Sequence, residues 1–461
     1  MMNNKKWLIK GGHIVSPEWG IIETDVTIEN GVITALGSHL GDNSYTVYDA
    51  SGKYVFPGFI DPHVHLGNYN VFEDDCKSET ISAAMGGVTT VIEYLKILRH
   101  VSEQVSYNRI FSDVFHSIDE LSSIDVAFHC VISTAEHISE INDYARQGVS
   151  SFKFYLGYKG SEAALKRGAV GINDGLIYGG LSEISKAGRH AIACVHAENE
   201  EIIKYFEEKI DDKRNASFLE WANSRPNFSE AESIQRACYL ANNASCPIYL
   251  CHVSARESLD EIRKMKGTSL RPIFTETCAH YLTFSKDEGN QLQGGTVKVI
   301  PPLREKESVE ALWKAIDMGE IDTIGTDHIA LLKCKKEHPW DGDPGFPGVE
   351  TLLPLVLTGA KRRNISYDKI AKTCAHNVAQ IFGLYPKKGT IRPGSDADIV
   401  LVDMNKPYRI KAEQLHSMSD FTPYEDIEVC AKVEATWLRG NLIYESNNVL
   451  EERLGQKILR S

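Results

Sequence analysis

The sequence predicts an α/β fold: a (β/α)8 TIM-like barrel with a small β domain assembled from the two ends of the chain. Three observations predict it. Eight short apolar, β-rich runs alternate with helical patterns between residues 58 and 325. Strand-like texture without helices precedes them and returns near residue 389. Polar residues of catalytic type fall at or near the C-terminal ends of five of the eight runs, the place where barrel enzymes gather their chemistry.

Residues 1–56 read as short strands at 7–10, 25–29, 32–36 and 54–56, broken by turns at Gly11-Gly12, Asn30-Gly31 and Gly52. Asn30-Gly31 between two alternating runs is a strong hairpin signal. The eight runs then lie at 58–61, 88–94, 126–132, 150–156, 191–196, 247–252, 272–277 and 321–325. Helical stretches at 75–85, 181–187, 230–242 and 308–318 separate several of them, and a helix at about 367–382 closes the set. Eight such units fit a closed barrel better than an open doubly wound sheet. β texture resumes at 389–390, 397–403, 433–438 and 442–445. The expected organisation is 1–56 and 385–461 as two parts of one β domain, with the barrel at 57–384.

The chain has 461 residues, 42% of them hydrophobic and 25% charged, which is ample for a large core and excludes a disordered chain. Its formal charge of −13 argues against nucleic-acid or anionic-membrane partners. No apolar run approaches the roughly 18 residues that span a bilayer. The N-terminus reads as a strand and turn rather than a signal peptide. Ten cysteines are spread singly with no CxxC pair, as expected of reduced core residues in a cytoplasmic protein.

The most informative segment is FIDPHVH at 59–65. Side chains at i and i+2 of a strand point the same way, so His63 and His65 can reach one metal ion. A lone HxH is weak evidence, but four other residues share its position. Lys153 sits in the apolar run VSSFKFYL, His196 ends AIACVH, His252 ends PIYLCH, and Asp327 follows IDTIGT. Core histidines placed independently would not repeat this arrangement. Four imidazoles and an aspartate suit Zn2+ or a similar divalent ion. A charged lysine is a poor ligand, but burial disfavours the ammonium. The neutral amine can take up CO2 and become an anionic carbamate able to bridge two cations. Two readings of Lys153 stand on its chemistry alone: that carbamate, and a strand-end lysine whose tip reaches solvent.

These residues resemble the cyclic-amide branch of the amidohydrolase superfamily: hydantoinases, dihydropyrimidinases, allantoinases and dihydroorotases. The likeness runs through PGFIDPHVH (57–65), GGVTT (86–90), SFK (151–153), VHAEN (195–199), CHVS (251–254), ETC (276–278), PPLR (301–304), GTDH (325–328) and PGVE (347–350). It continues in IFGLYPKKGT (381–390) and GSDAD (394–398). The resemblance implies that the terminal segments form a β-sandwich. It also implies two metal ions, usually zinc. His63, His65, N6-carboxylated Lys153 and Asp327 would hold one; the same carbamate, His196 and His252 would hold the other. A hydroxide bridging the metals would attack a ring amide, with Asp327 moving the proton to the leaving nitrogen. Family members are often homotetramers or dimers.

Substrate signals are mixed. Tyr158, five residues after Lys153, resembles the tyrosine with which hydantoinases and dihydropyrimidinases hydrogen-bond the oxyanion; an ordinary loop tyrosine is the alternative. HAEN also leans toward hydantoinase. DPHVH and CAHYLTF lean toward allantoinase or dihydroorotase, but the arginine that dihydroorotases carry soon after HxH is missing from Leu66-Gly67-Asn68. Where hydantoinases place a serine before PPLR and an asparagine in NGxPG, this chain has Ile300 and Pro344. Proline has no N–H to offer a substrate. The loop at 68–74 and the stretch 331–343 are expected to shape the pocket, with His280, His328 and His338 in supporting positions. The expectation is a hydantoinase- or dihydropyrimidinase-like enzyme acting on a small cyclic ureide or imide. Allantoinase is the alternative, and a non-catalytic scaffold paralogue is the rival of another class.

Overall fold

The computed structural model describes residues 5–96, 106–158, 171–292, 294–450 and 452–460. Eight parallel strands follow one another around a barrel: Phe59–His65, Val88–Leu95, Asp125–Val131, Ser151–Tyr155, Ile192–His196, Ile248–Leu250, Ile273–Cys278 and Thr323–Gly325. They coincide with the eight apolar runs of the sequence. The chain beyond the eighth strand closes the ring. His328–Ile329 pairs in parallel with the first strand, and Thr326 N–H donates to Asp61 Oδ1 at 3.1 Å.

Helices Phe72–Met85, Asn227–Asn243 and Lys306–Asp317 match their expected positions. The helix expected at 181–187 instead spans Asp174–Ile184, begun by an Asn173 side chain that accepts from Leu176 N–H. Its three glycines, Gly175, Gly179 and Gly180, obscured the helical pattern. Gly180 is required by packing, since a Cβ there would lie 2.6 Å from the Phe154 ring. The helix expected at about 367–382 is present, with a π turn at Lys372–His376 between Tyr367–Ala371 and Asn377–Ile381.

The two ends of the chain share one nine-stranded sheet. Tyr54–Pro57 from the N-terminal part pairs antiparallel with Ile399–Asp403 from the C-terminal part. The sheet curls until its far strand, Val32–Gly37, meets the segment before Ile399, where Ile33 N–H donates to Ser395 O at 2.9 Å. It encloses a core of its own, including Ile9, Val26, Ile33, Ile399, Leu401 and Trp437. Val400 and Val402 project the other way into the barrel-side core, as period-two alternation requires. Asn30 and Gly31 form the expected hairpin turn, both at positive φ (53° and 82°).

Two local expectations are corrected. Gly11-Gly12 does not end a strand. It is a bulge inside the single strand Trp7–Ser16, at which the strand exchanges Thr46–Asp49 for Tyr54–Pro57 as its parallel neighbour. Residues 389–390 are not a strand; they lead to a buried charge knot between the two structural parts. There Lys388 Nζ lies 2.6 Å from Asp125 Oδ2 and 2.7 Å from Asp398 Oδ2, with Arg439 also on Asp125.

All ten cysteines are unpaired thiols; eight are buried, but Cys334 is exposed and Cys430 half-buried, so the core assignment does not extend to those two. Among the described residues, no helix is long and apolar enough to cross a membrane.

Candidate active site

The first barrel strand delivers His63 and His65 to the C-terminal mouth. Asp61 fixes its course by accepting from His63 N–H at 3.0 Å and from Thr326 N–H across the closure. His63 Nε2 and His65 Nε2 lie 3.2 and 3.0 Å from the same Asp327 oxygen. Ligand atoms of these three residues all lie within 4.8 Å of one another, an arrangement able to hold a metal ion. Beside them, His196 Nδ1 and His252 Nε2 are 2.9 Å apart, and the His63 and His252 rings are 5.4 Å apart.

Lys153 joins the two groups. Its buried Nζ lies 4.5 Å from the centre of the Tyr94 ring and has no hydrogen-bond partner. One pocket of about 570 Å3, open mouth included, contains all six of these residues together with Tyr158, Ile300 and Pro344. The structure therefore brings together every site residue expected from the sequence.

Burial is the main electrostatic influence. It pushes His63 down to about 4, with Asp327 opposing, and drives His65 and His252 well below the ordinary histidine value. The three imidazoles are thus neutral at pH 7, as metal ligands must be. Burial raises the Asp327 carboxyl to about 6 against the pull of His63 and Lys153. It also keeps the Tyr158 phenol protonated by lifting it well above its ordinary value. The Tyr158 ring lies 4.8 Å from that of His196. Tyr158, His252 and Asp327 all adopt left-handed backbone conformations, with φ of 63°, 39° and 52°. Each such residue costs about 1–3 kcal/mol, strain that the surrounding fold must hold in place.

Sequence reasoning missed the carboxylates that orient these groups. Glu276 Oε1 accepts from His63 Nδ1 at 2.7 Å and from His252 N–H at 2.9 Å, while its Oε2 accepts from Tyr249 O–H at 2.7 Å. Glu198 sits 2.9 Å from His196 Nε2. Glu230 accepts from Ser254 N–H at 3.0 Å and from Arg304 Nη2 at 3.1 Å, bracing the turn after His252. A signal for Glu276 was present: it too lies near the C-terminal end of a barrel strand.

Of the loops expected to shape the pocket, 68–74 contributes Asn68 and Tyr69. The stretch 331–343 does not reach the lining; the two residues after it, Pro344 and Gly345, do. Two buried lysines explain this. Lys336 Nζ donates to Gly345 O at 2.6 Å and Lys298 Nζ to Gly342 O at 2.6 Å, tying the stretch back from the mouth. Pro344 O accepts from Tyr69 O–H at 3.0 Å. His280, His328 and His338 lie outside the lining. His328 Nε2 lies 2.9 Å from Glu79, and His338 Nδ1 accepts from Trp340 N–H at 3.2 Å.

The barrel mouth carries a cluster of His63, His65 and Asp327 able to hold a metal ion, and comparison with known proteins places the chain. Residues 54–443 match the amidohydrolase family. The chain belongs to that family and is an enzyme. Among its relatives, a D-hydantoinase of Ralstonia pickettii is 32% identical, with 98% of each chain covered. An allantoinase of Bacillus licheniformis is also 32% identical, over 98% of this chain and 99% of its own. The crystal structure of a D-hydantoinase superimposes with a TM-score of 0.90 at 29% identity, covering 99% of both chains. The L-hydantoinase (dihydropyrimidinase) of Arthrobacter aurescens does so with a TM-score of 0.90 at 28% identity, covering 98% and 99%.

Proposed function

We propose that this enzyme hydrolyses the amide bond of a small cyclic ureide or imide, in the manner of a hydantoinase or dihydropyrimidinase. The observation that carries the reading is the buried Lys153 amine, without a hydrogen-bond partner, set among His63, His196, His252 and Asp327. A buried amine in that position gains partners if it is N6-carboxylated and holds metal. His63, His65, carboxylated Lys153 and Asp327 would bind one divalent ion, and the same carbamate, His196 and His252 a second, with Zn2+ the best match to the donor set. Such ions acidify water and polarise a carbonyl.

The chain's own residues would do the rest. Asp327, with its carboxyl raised to about 6, takes a proton from the attacking water and passes it to the departing ring nitrogen. Tyr158, still protonated, donates to the carbonyl oxygen as negative charge develops there. Ile300 and Pro344 line the pocket; Pro344 has no N–H to offer the ring, and its carbonyl already accepts from Tyr69 O–H.

Similarity to an allantoinase at the same identity as to a D-hydantoinase supports a second reading, in which the ring is allantoin, itself a substituted hydantoin. Zinc-loaded enzyme supplied with bicarbonate should be assayed on hydantoin, dihydrouracil, allantoin, dihydroorotate and succinimide. Opening of hydantoin or dihydrouracil supports the first reading. Turnover of allantoin alone replaces it with the second. Failure to hold divalent metal, with no activity on any ring, would overturn both readings.

A further inference from the structure

Building on that function, we propose that Lys96 and Asn68 form a subsite for a carboxylate carried on the substrate ring, so that the preferred substrate is an acidic cyclic ureide. Both residues line the same pocket as His63, His65 and Asp327. They arrive from different elements. Asn68 lies three residues beyond His65, and Lys96 directly follows the second barrel strand, Val88–Leu95. Lys96 Nζ donates to Asn68 Oδ1 at 2.9 Å, which sets the carboxamide with its Nδ2 as the remaining donor end.

Lys96 is the only lysine or arginine in the described lining besides Lys153. The rest of the lining includes apolar Val299, Ile300 and Pro344. An ammonium with an adjacent amide donor supplies two charge-assisted hydrogen bonds to one carboxylate.

The test is steady-state kinetics of the zinc-loaded enzyme on hydantoin-5-acetic acid and on hydantoin-5-acetamide, its uncharged counterpart of nearly the same shape. Wild type should favour the acid at least tenfold in kcat/KM, with the preference falling as salt is added. Lys96→Met should lower the acid-to-amide ratio at least tenfold, chiefly through KM, and Lys96→Arg should restore most of it. A lysine that only held Asn68 in place would change both substrates together and leave the ratio where it was. That result, or a wild-type ratio near one with the amide readily opened, would overturn the carboxylate subsite and leave the proposed reaction standing. Inability of metal-replete wild type to open either ring would overturn both. If Lys96→Met does not fold, the wild-type ratio and its salt dependence decide the matter.

Discussion

Glu276 offers the sharpest test of how the site is held together. One oxygen of its buried carboxylate serves His63 Nδ1 and His252 N–H, and the other serves Tyr249 O–H. Burial raises the Glu276 carboxyl to about 7; in its ionised form it only accepts, so it fixes the His63 proton on Nδ1 and leaves Nε2, the atom facing Asp327, free to ligate. Glu276→Gln keeps one accepting oxygen for His63 and His252. Its new NH2 would face Tyr249, whose hydroxyl can turn its proton to Thr323 Oγ1, 2.6 Å away, and accept from the amide. The glutamine variant therefore loses the charge on all three hydrogen bonds but not the bonds themselves. A hydrogen bond to a charged group contributes about 1.5–3 kcal/mol and a neutral one about 0.5–1.5, so the expected loss is about 3 kcal/mol. Glu276→Ala strips all three donors of their acceptor and adds a cavity, and should cost about 4 kcal/mol or more. Zinc affinity should fall about tenfold in the glutamine variant and about a hundredfold in the alanine variant. Chelator competition reads the affinity, and the urea midpoint reads the stability. An alanine variant within threefold of wild-type zinc affinity, or a glutamine variant harmed more than alanine, would refute this account of the carboxylate.

Other outcomes follow from the same structure. Tyr158→Phe should lower kcat about 10²- to 10³-fold with a much smaller change in KM, because the phenol is assigned to charge that develops only in the transition state; stopped assays on the best ring substrate check this. If the proposed metal centre holds, Lys153→Ala should lose bound metal and activity, and short carboxylic acids added with zinc should restore part of both, measured by metal content and turnover. Lys388→Met should destabilise the protein by about 3–5 kcal/mol in urea, since it leaves Asp125 and Asp398 buried with one cation fewer. Glu305 tests the acid limb. Burial opposes its ionisation, but hydrogen bonds from Lys286 at 2.7 Å and Asn227 at 3.0 Å hold its carboxyl at about 2. Its folded value lies below its ordinary value of 4.5, so its stabilisation is complete above pH 4.5 and vanishes as pH falls toward 2. The stability difference between wild type and Glu305→Gln should shrink over that range in acid titrations followed by fluorescence.

The parts that were legible in the chain are those whose signal is local. Asn30-Gly31 announced a hairpin because left-handed backbone at two successive positions selects those residues. His63 and His65 announced a shared direction because a strand alternates faces. Lys153 stood out because a lysine within an apolar run has a desolvation cost to explain. The bulge at Gly11-Gly12 was misread as a turn because its cause is a change of strand partner, which adjacent residues do not record. The helix at Asp174–Ile184 was misplaced because Gly180 answers to the Phe154 ring, not to helix propensity.

Periodicity and residue chemistry alone thus determined an eight-stranded barrel, a β domain from both ends and a set of strand-end histidines, lysine and aspartate at one mouth. Those properties depend on neighbours one to four positions away. Only the folded molecule decided which carboxylates hold the ligands in place, which side chains knit the β domain to the barrel, and that Lys96 shares a pocket with Asp327. Glu276 lies 213 positions from His63, and Lys388 is 263 from Asp125. Pairings of that kind are made by barrel closure, which brings distant segments within hydrogen-bond range, and no local pattern encodes which of them will meet.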